Sequence, residues 1–166
     1  MSLRDIPLIA RIRRNHGLEH ATIHVLTQQN PRLRVVGRTT PGGFYLYGNL
    51  TAKQIRAAVE QAISRLQNGE VHLAVHPRCG TNLATAGFLA GLSAFVALLP
   101  RTRRRFDQLP FAILAATLAV VVAQPLGLLL QAQVTTSPDV HNLIVKRVTC
   151  RQQSPLAVHY VETVTY

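Results

Sequence analysis

Two stretches decide the architecture: Leu83–Leu99, LATAGFLAGLSAFVALL, and Leu109–Leu130, LPFAILAATLAVVVAQPLGLLL. No charged residue falls between Cys79 and Pro100, and none between Gln108 and Pro138. A helix needs roughly 17–25 mostly apolar residues to cross a bilayer, and each stretch meets that length. Neither carries the polar stripe that a surface helix of a soluble domain shows. Between them lies the basic loop 100–108, with Arg101, Arg103, Arg104 and Arg105. The pair reads as a transmembrane helical hairpin; the alternative is a buried helical pair in a soluble core. In the first helix Gly87 and Gly91, extended by Ala86, Ala90 and Ala94, form a small-xxx-small pattern of the kind that lets helix backbones approach in lipid. The Gly87/Gly91 face is accordingly a candidate oligomer contact.

Composition fits this division. The chain has 166 residues and a formal charge of +11, yet only 15% of its residues are charged. Its 48% hydrophobic content excludes a disordered chain. Cys79 and Cys150 are too few for a disulfide scaffold. No Trp and only 5% aromatic residues argue against a base-stacking surface, so no nucleic-acid partner is expected. The expected partners are the bilayer, its anionic head groups and a membrane-linked substrate. The opening MSLRDIPLIARIRR does not read as a signal peptide, since it holds Asp5 and four arginines. A hairpin puts both flanking segments in one compartment. Residues 1–81 carry +7, so the polar part is expected on the cytoplasmic side, although the loop's +3 pulls the other way.

The polar part reads as a small α+β layer interrupted by the transmembrane hairpin. Residues 1–81 form its first piece, 82–131 the hairpin, and 132–166 the C-terminal strands that complete the sheet. Asn15–Gln29 reads as a helix with Asn15 as N-cap and Asn30-Pro31 as its stop. Leu33–Arg38 and Phe44–Tyr47 flank Pro41-Gly42-Gly43 as a hairpin. Thr51-x-x-Gln54 is a capping box, followed by Ile55, Ala58, Val59, Ala62, Ile63 and Leu66 at helical spacing. Val71–Val75 reads as a strand, as do Asn142–Thr149 and Ala157–Thr165.

Chemistry concentrates in His16-Gly17-Leu18-Glu19-His20, an H-x-x-E-H pattern followed by His24. At about 100° per residue, His16, His20 and His24 fall within about 80° of one another and Glu19 about 60° to the other side, so all four are expected on one face. Histidines one turn apart can chelate one metal, and a nearby carboxylate can serve as base. His16 and His24 are roughly 12 Å apart along the axis, too far to share one ion. His16 and His20 are therefore the candidate ligands, Glu19 the general base or third ligand, and His24 a contact behind the ligands, to a second metal or to substrate. His76-Pro77-Arg78-Cys79 adds an imidazole and a thiol three residues apart. His76 and Cys79 would complete a divalent-metal site, with zinc the expected ion. Arg78 is a candidate contact for an anionic substrate group or a lipid phosphate. His72 reads as a surface strand residue, and His141 and His159 are given no role.

Together these motifs resemble the YqhQ-like family of bacterial membrane proteins, an uncharacterised group described as predicted metal-dependent enzymes. The resemblance rests on H-G-x-E-H-x-x-I-H at His16, Gly17, Glu19, His20, Ile23 and His24, and on H-P-R-C-G-T at His76–Thr81. A third element is the leucine-rich helix end followed by Thr135, Thr136, Ser137, Pro138 and Asp139, one residue shorter than the family pattern. It covers roughly residues 15–140. The family's longer N-terminal region, with its glycine-rich segment and further membrane helices, has no counterpart here, and Leu33–Val75 is an elaboration, as in a shorter related subgroup. The resemblance implies an inner-membrane location and a metal site, and adds Asp139 as a further second-shell candidate.

Three functions compete on this reading. One is a metal-dependent hydrolase at the membrane interface. Another is a non-catalytic membrane protein with a structural His/Cys site that binds a partner or anionic lipid. The third uses Cys79 as a nucleophile beside a histidine.

Overall fold

The computed structural model describes residues 6–99, 105–152 and 157–166. Arg101, Arg103 and Arg104 lie outside the described residues. The chain divides into two compact units, one made of residues 1–76 and 132–166, the other of 77–131.

The first unit is α+β. Helix α1 spans Pro7–Gln29 and α2 Ala52–Gln67; strands β1 (Val36–Thr40), β2 (Gly43–Tyr47), β3 (Leu143–Gln152) and β4 (Val158–Thr165) form one sheet. The strand order is β1-β2-β4-β3 and every pairing is antiparallel. The C-terminal strands thus complete a sheet begun by the hairpin at Pro41-Gly42. Gly43, at φ 145°, takes a backbone conformation that side chains disfavour, and a Cβ there would overlap the carbonyl of Val161 on β4.

Alternation sorts the sheet's two faces. Phe44, Leu46 and Val161 are fully buried and join Leu18, Ala21 and Val25 of α1 and Ile55, Ala58, Val59 and Ala62 of α2 in one core. α2 starts where its sequence says: the Thr51 hydroxyl accepts from the Gln54 N–H, and the Gln54 side chain accepts from the Thr51 N–H. Gly69, at φ 91°, follows its last turn.

Two sequence expectations are corrected. α1 begins at Pro7, eight residues before Asn15, because proline suits the first helical turn and the IPLIARIRR segment continues the helix. Asn15 is not an N-cap; it lies mid-helix, buried, its side chain bonded to other segments. Val71–Val75 is not a strand either, but contains a 3₁₀ turn, Val71–Ala74. Its last carbonyls, which a strand would offer to a ladder, accept instead from histidines of α1. His72 is exposed there.

The second unit holds α3 (Gly80–Ala97), a 3₁₀ turn (Arg105–Gln108) and α4 (Leu109–Leu130), and α3 packs on α4. A π-helical turn, Gln131–Thr135, continues from α4. Both helices are long and apolar enough to cross a membrane by length and composition. Their side chains are sorted by size. On α4 the half-buried and buried row is Ala112, Ala115, Ala116, Ala119, Ala123 and Gly127; on α3 it contains Ala86, Ala90 and Ala94. The exposed surface carries Phe88, Phe95, Phe111, Ile113, Leu114, Leu118 and Val121.

At one end a buried polar pair joins the helices: Gln131 Nε2 donates to Asn82 Oδ1 at 2.6 Å, and Asn82 Nδ2 donates to the Pro77 carbonyl at 2.8 Å. Gly127 makes this approach possible, since a Cβ there would overlap Asn82 Oδ1 and stand 3.0 Å from Asn82 Cα. Gly87 and Gly91, by contrast, face open space, so the close approach within the pair is made by alanines and Gly127.

This geometry separates two glycine substitutions. Gly127→Ala should destabilise the protein by about 1–3 kcal/mol through overpacking. Gly91→Ala should be neutral or stabilising by up to about 1 kcal/mol, because helical glycine is entropically costly. Thermal unfolding of the two variants beside the native chain measures the difference.

Candidate functional site

The histidine row grows from α1. From Asn15 to Leu26 nearly every residue of the helix is buried, including Glu19 and His20. A buried polar group needs a partner, and α1 finds its partners in the backbone of other segments.

His20 Nδ1 lies 2.8 Å from the carbonyl of Ala74, and His16 Nδ1 lies 3.0 Å from the carbonyl of Thr135. A carbonyl only accepts, so each Nδ1 carries the proton. In the neutral ring the lone pair then sits on Nε2. This is the arrangement by which outer partners fix the tautomer and orientation of metal-ligating histidines. His24 has the opposite tautomer: its Nε2 donates to the carbonyl of Val75 at 2.9 Å.

The rings form a chain. Centroids of His16 and His20 are 4.4 Å apart, those of His20 and His76 5.8 Å, and those of His24 and His76 4.9 Å. His16 and His20 each present a ring nitrogen within 4.8 Å of the other. The structure therefore brings together His16, His20, His24 and His76, four residues from two motifs separated by some fifty positions.

Glu19, expected on the same face as the histidines, points elsewhere. The wheel angles separate it from His24 by about 140°, enough for the two to reach different elements. Its carboxylate accepts from the Thr39 hydroxyl on β1 and rests against Gly37, where any Cβ would overlap it. Burial pushes the Glu19 carboxyl above its ordinary value, opposed by the Thr39 hydrogen bond and by the charge of His16.

The third motif also docks on α1. The Ser137 N–H donates to the Arg13 carbonyl at 2.9 Å, and Arg13 donates to the carbonyls of Gln133 and Thr136. Asp139 pairs with Arg14 at 3.1 Å and is half exposed. Gly17 explains the close approach: a Cβ there would overlap the Ser137 carbonyl oxygen and press on Ala74 Cβ at 3.3 Å. Asn15 donates to the carbonyls of Thr40 and Pro41 and accepts from Thr163. The roles of Asn15, Gly37 and Thr39 had no signal in the sequence; Gly17 was visible only as part of a motif.

Cys79 and Arg78 belong to the second unit. Cys79 is the N-cap of α3, where its Sγ accepts from the Thr81 N–H at 3.5 Å. A helix N-terminus favours the thiolate, the form that binds metal or attacks carbon. Arg78 is exposed. His159, given no role from sequence, is buried with Nε2 donating to the Leu50 carbonyl at 2.8 Å.

Comparison with known proteins places this site in an uncharacterised family. Residues 11–148 match the domain of unknown function DUF6391. The chain belongs to the DUF6391 family. An uncharacterized protein of Picosynechococcus sp. is similar, 39% identical over 137 residues, which is 76% of this chain and 66% of that relative. The chain thus spans just under two-thirds of that relative's length. No solved structure matches it. All three motifs, His16–His24, His76–Thr81 and Leu128–Asp139, fall inside the matched range.

Two expectations follow. Gly17→Ala should push segment 135–137 off α1 and cost about 1–3 kcal/mol of stability, seen as a lower denaturant midpoint. Glu19 supplies a pH test in metal-free protein. Its folded pKa lies above the ordinary value, so between those two values the native state holds more protons than the unfolded one, and stability falls as pH rises. Glu19→Gln should remove that slope and be more stable than the native chain at pH 7, with the advantage shrinking at acid pH. Denaturant titrations across pH 4–8, about the range in which a buried carboxyl titrates, measure it.

Proposed function

We propose that this DUF6391 chain is an integral membrane protein with a divalent-metal site, held by His16, His20 and Cys79 with His76 beside them, which acts as a hydrolase at the membrane interface. The observation that carries the reading is the shared tautomer of His16 and His20: both direct Nδ1–H at a backbone carbonyl, which puts the ring's lone pair on Nε2, the form that ligates a cation. Cys79 follows His76 by three residues, so the chain holds their Cα atoms within about 11 Å of each other. Two imidazoles and a thiolate form a donor set suited to zinc, with a fourth place left for water or substrate.

Membrane insertion is supported by the sorting of side chains on α3 and α4. Small residues pack inside and large apolar ones cover the outside, the reverse of a water-soluble helix pair. The YqhQ-like relationship and a cytoplasmic placement of the polar unit belong to this same proposal.

A bound zinc ion would supply Lewis-acid polarisation and an activated water. The chain's own contribution would be Glu19 as proton acceptor, its carboxyl pushed above its ordinary value by burial and restrained by Thr39. His24 would steady the Val75–His76 turn through its hydrogen bond. Arg78 would hold an anionic group of a membrane-linked substrate or a lipid phosphate, and Asp139 would orient Arg14.

A structural metal site is favoured by one specific observation: the Glu19 carboxylate is already engaged by Thr39 and fitted to Gly37. Elemental analysis of the full chain purified in detergent tests both readings. The native protein should carry about one zinc per chain, and His16→Ala with His20→Ala should lose it. Glu19→Gln should keep the metal and, on the hydrolase reading, abolish turnover of an activated ester; unchanged turnover leaves the structural reading. A native chain without transition metal overturns both.

A further inference from the structure

α1 and α2 cover one face of the sheet, packing on β1, β2 and β3. The other face gathers residues that are scattered in sequence. Directly opposed residues of antiparallel strands share a face. Register therefore places Arg38, Tyr45, Tyr160 and Thr149 on one line across all four strands. Tyr47 lies two residues along β2 on the same face.

Three of the chain's four tyrosines meet there. Ring centroids of Tyr45 and Tyr160 are 4.7 Å apart and those of Tyr45 and Tyr47 6.3 Å. The Arg151 guanidinium lies 5.8 Å over the Tyr160 ring, and Arg38 is exposed at the opposite edge. Glu162, a carboxylate two residues along β4 from Tyr160, is already ion-paired to Lys146 and Arg147. The face is thus a half-exposed aromatic strip with an arginine at each end.

We propose that this face binds single-stranded nucleic acid, with bases stacked on Tyr45, Tyr47 and Tyr160 and phosphates held by Arg38 and Arg151. Charge complementarity calls for a polyanion, and the contiguous rings call for one with flat faces. Duplex nucleic acid hides its bases, and a polyanion without rings would gain nothing from the tyrosines. A single strand offers both, since every base has a π-face and the backbone carries one charge per nucleotide. Aromatic content alone had argued against such a partner; the sheet register concentrates what the sequence spreads over more than a hundred positions. This inference stands apart from the metal site.

The test uses the full chain in detergent and a fluorescein-labelled oligo(dT) of about 12 nucleotides, within the usual site sizes. Fluorescence anisotropy should show binding that Tyr45→Ala or Tyr160→Ala weakens about tenfold, whereas Tyr45→Phe keeps it. Arg38→Gln with Arg151→Gln should make the salt dependence shallower by about 1.4 in log K against log salt, at about 0.7 per phosphate. These variants lie outside the core, and circular dichroism confirms that each is folded; the arginine pair keeps the test decisive if a tyrosine variant unfolds. Inorganic polyphosphate of matched charge should compete poorly. Absence of oligo(dT) binding, equal competition by polyphosphate, or equal displacement by short-chain phosphatidylglycerol from native chain and Tyr45→Ala would overturn the proposal.

Discussion

The first unit depends on a helix in which four buried or half-buried side chains, Asn15, His16, His20 and His24, donate to backbone carbonyls of distant segments. Asn15 bonds Thr40 and Pro41, His16 bonds Thr135, His20 bonds Ala74 and His24 bonds Val75. These carbonyls lie at the end of β1 and in the turns that follow other elements. An unanswered buried polar group costs about 1–3 kcal/mol, so α1 and the three segments specify one another's positions. The arrangement also orients the imidazoles, because a ring whose Nδ1–H is held by a carbonyl has its Nε2 aimed in a fixed direction. Folding and site geometry are the same set of bonds.

Glycine makes that close packing possible. Gly17 admits the Ser137 backbone and Gly37 admits the Glu19 carboxylate, each at a separation no side chain would allow. The second unit repeats the device with a different purpose, since Gly127 lets α3 approach α4 where Asn82 and Gln131 form their buried hydrogen bond. In a pair of uniformly apolar helices, such close contact and such a bond distinguish one packing from many.

The sequence made some of this plain and hid the rest for physical reasons. α4 runs over the residues read from its apolar content, and α2 starts at its capping box, because length, hydrophobicity and local capping are properties of contiguous residues. The hairpin at Pro41-Gly42 and the two C-terminal strands were likewise local signals. Val71–Val75 looked like a strand because its apolar content fits one, but the fate of its carbonyls was decided by His20 and His24, some fifty positions away. Asn15 looked like a cap because asparagine prefers caps; its actual partners, Thr40 and Thr163, come from two different strands. Of the candidate site, residue types and helical spacing were legible. The tautomers, the turning of Glu19 toward β1 and the gathering of Tyr45 and Tyr160 were not, since each depends on contacts between elements far apart in the chain.

A site built from bonds that also hold the fold has an energetic consequence. Glu19 is buried with a carboxyl that burial disfavours in its charged form, so the folded chain carries a cost at neutral pH that hydrogen bonding from Thr39 and the nearby His16 offset only in part. Packing around it, with Leu18 and Ala21 fully buried on the same helix, supplies the compensating stability. A cation bound near His16 would act in the same direction as the charge of His16, favouring the carboxylate. It would also bind the folded chain in preference to the unfolded one, and so add to stability by mass action. The histidine helix is thus less stable on its own than its packing alone would make it, and the missing increment is of the sign that a divalent ion supplies.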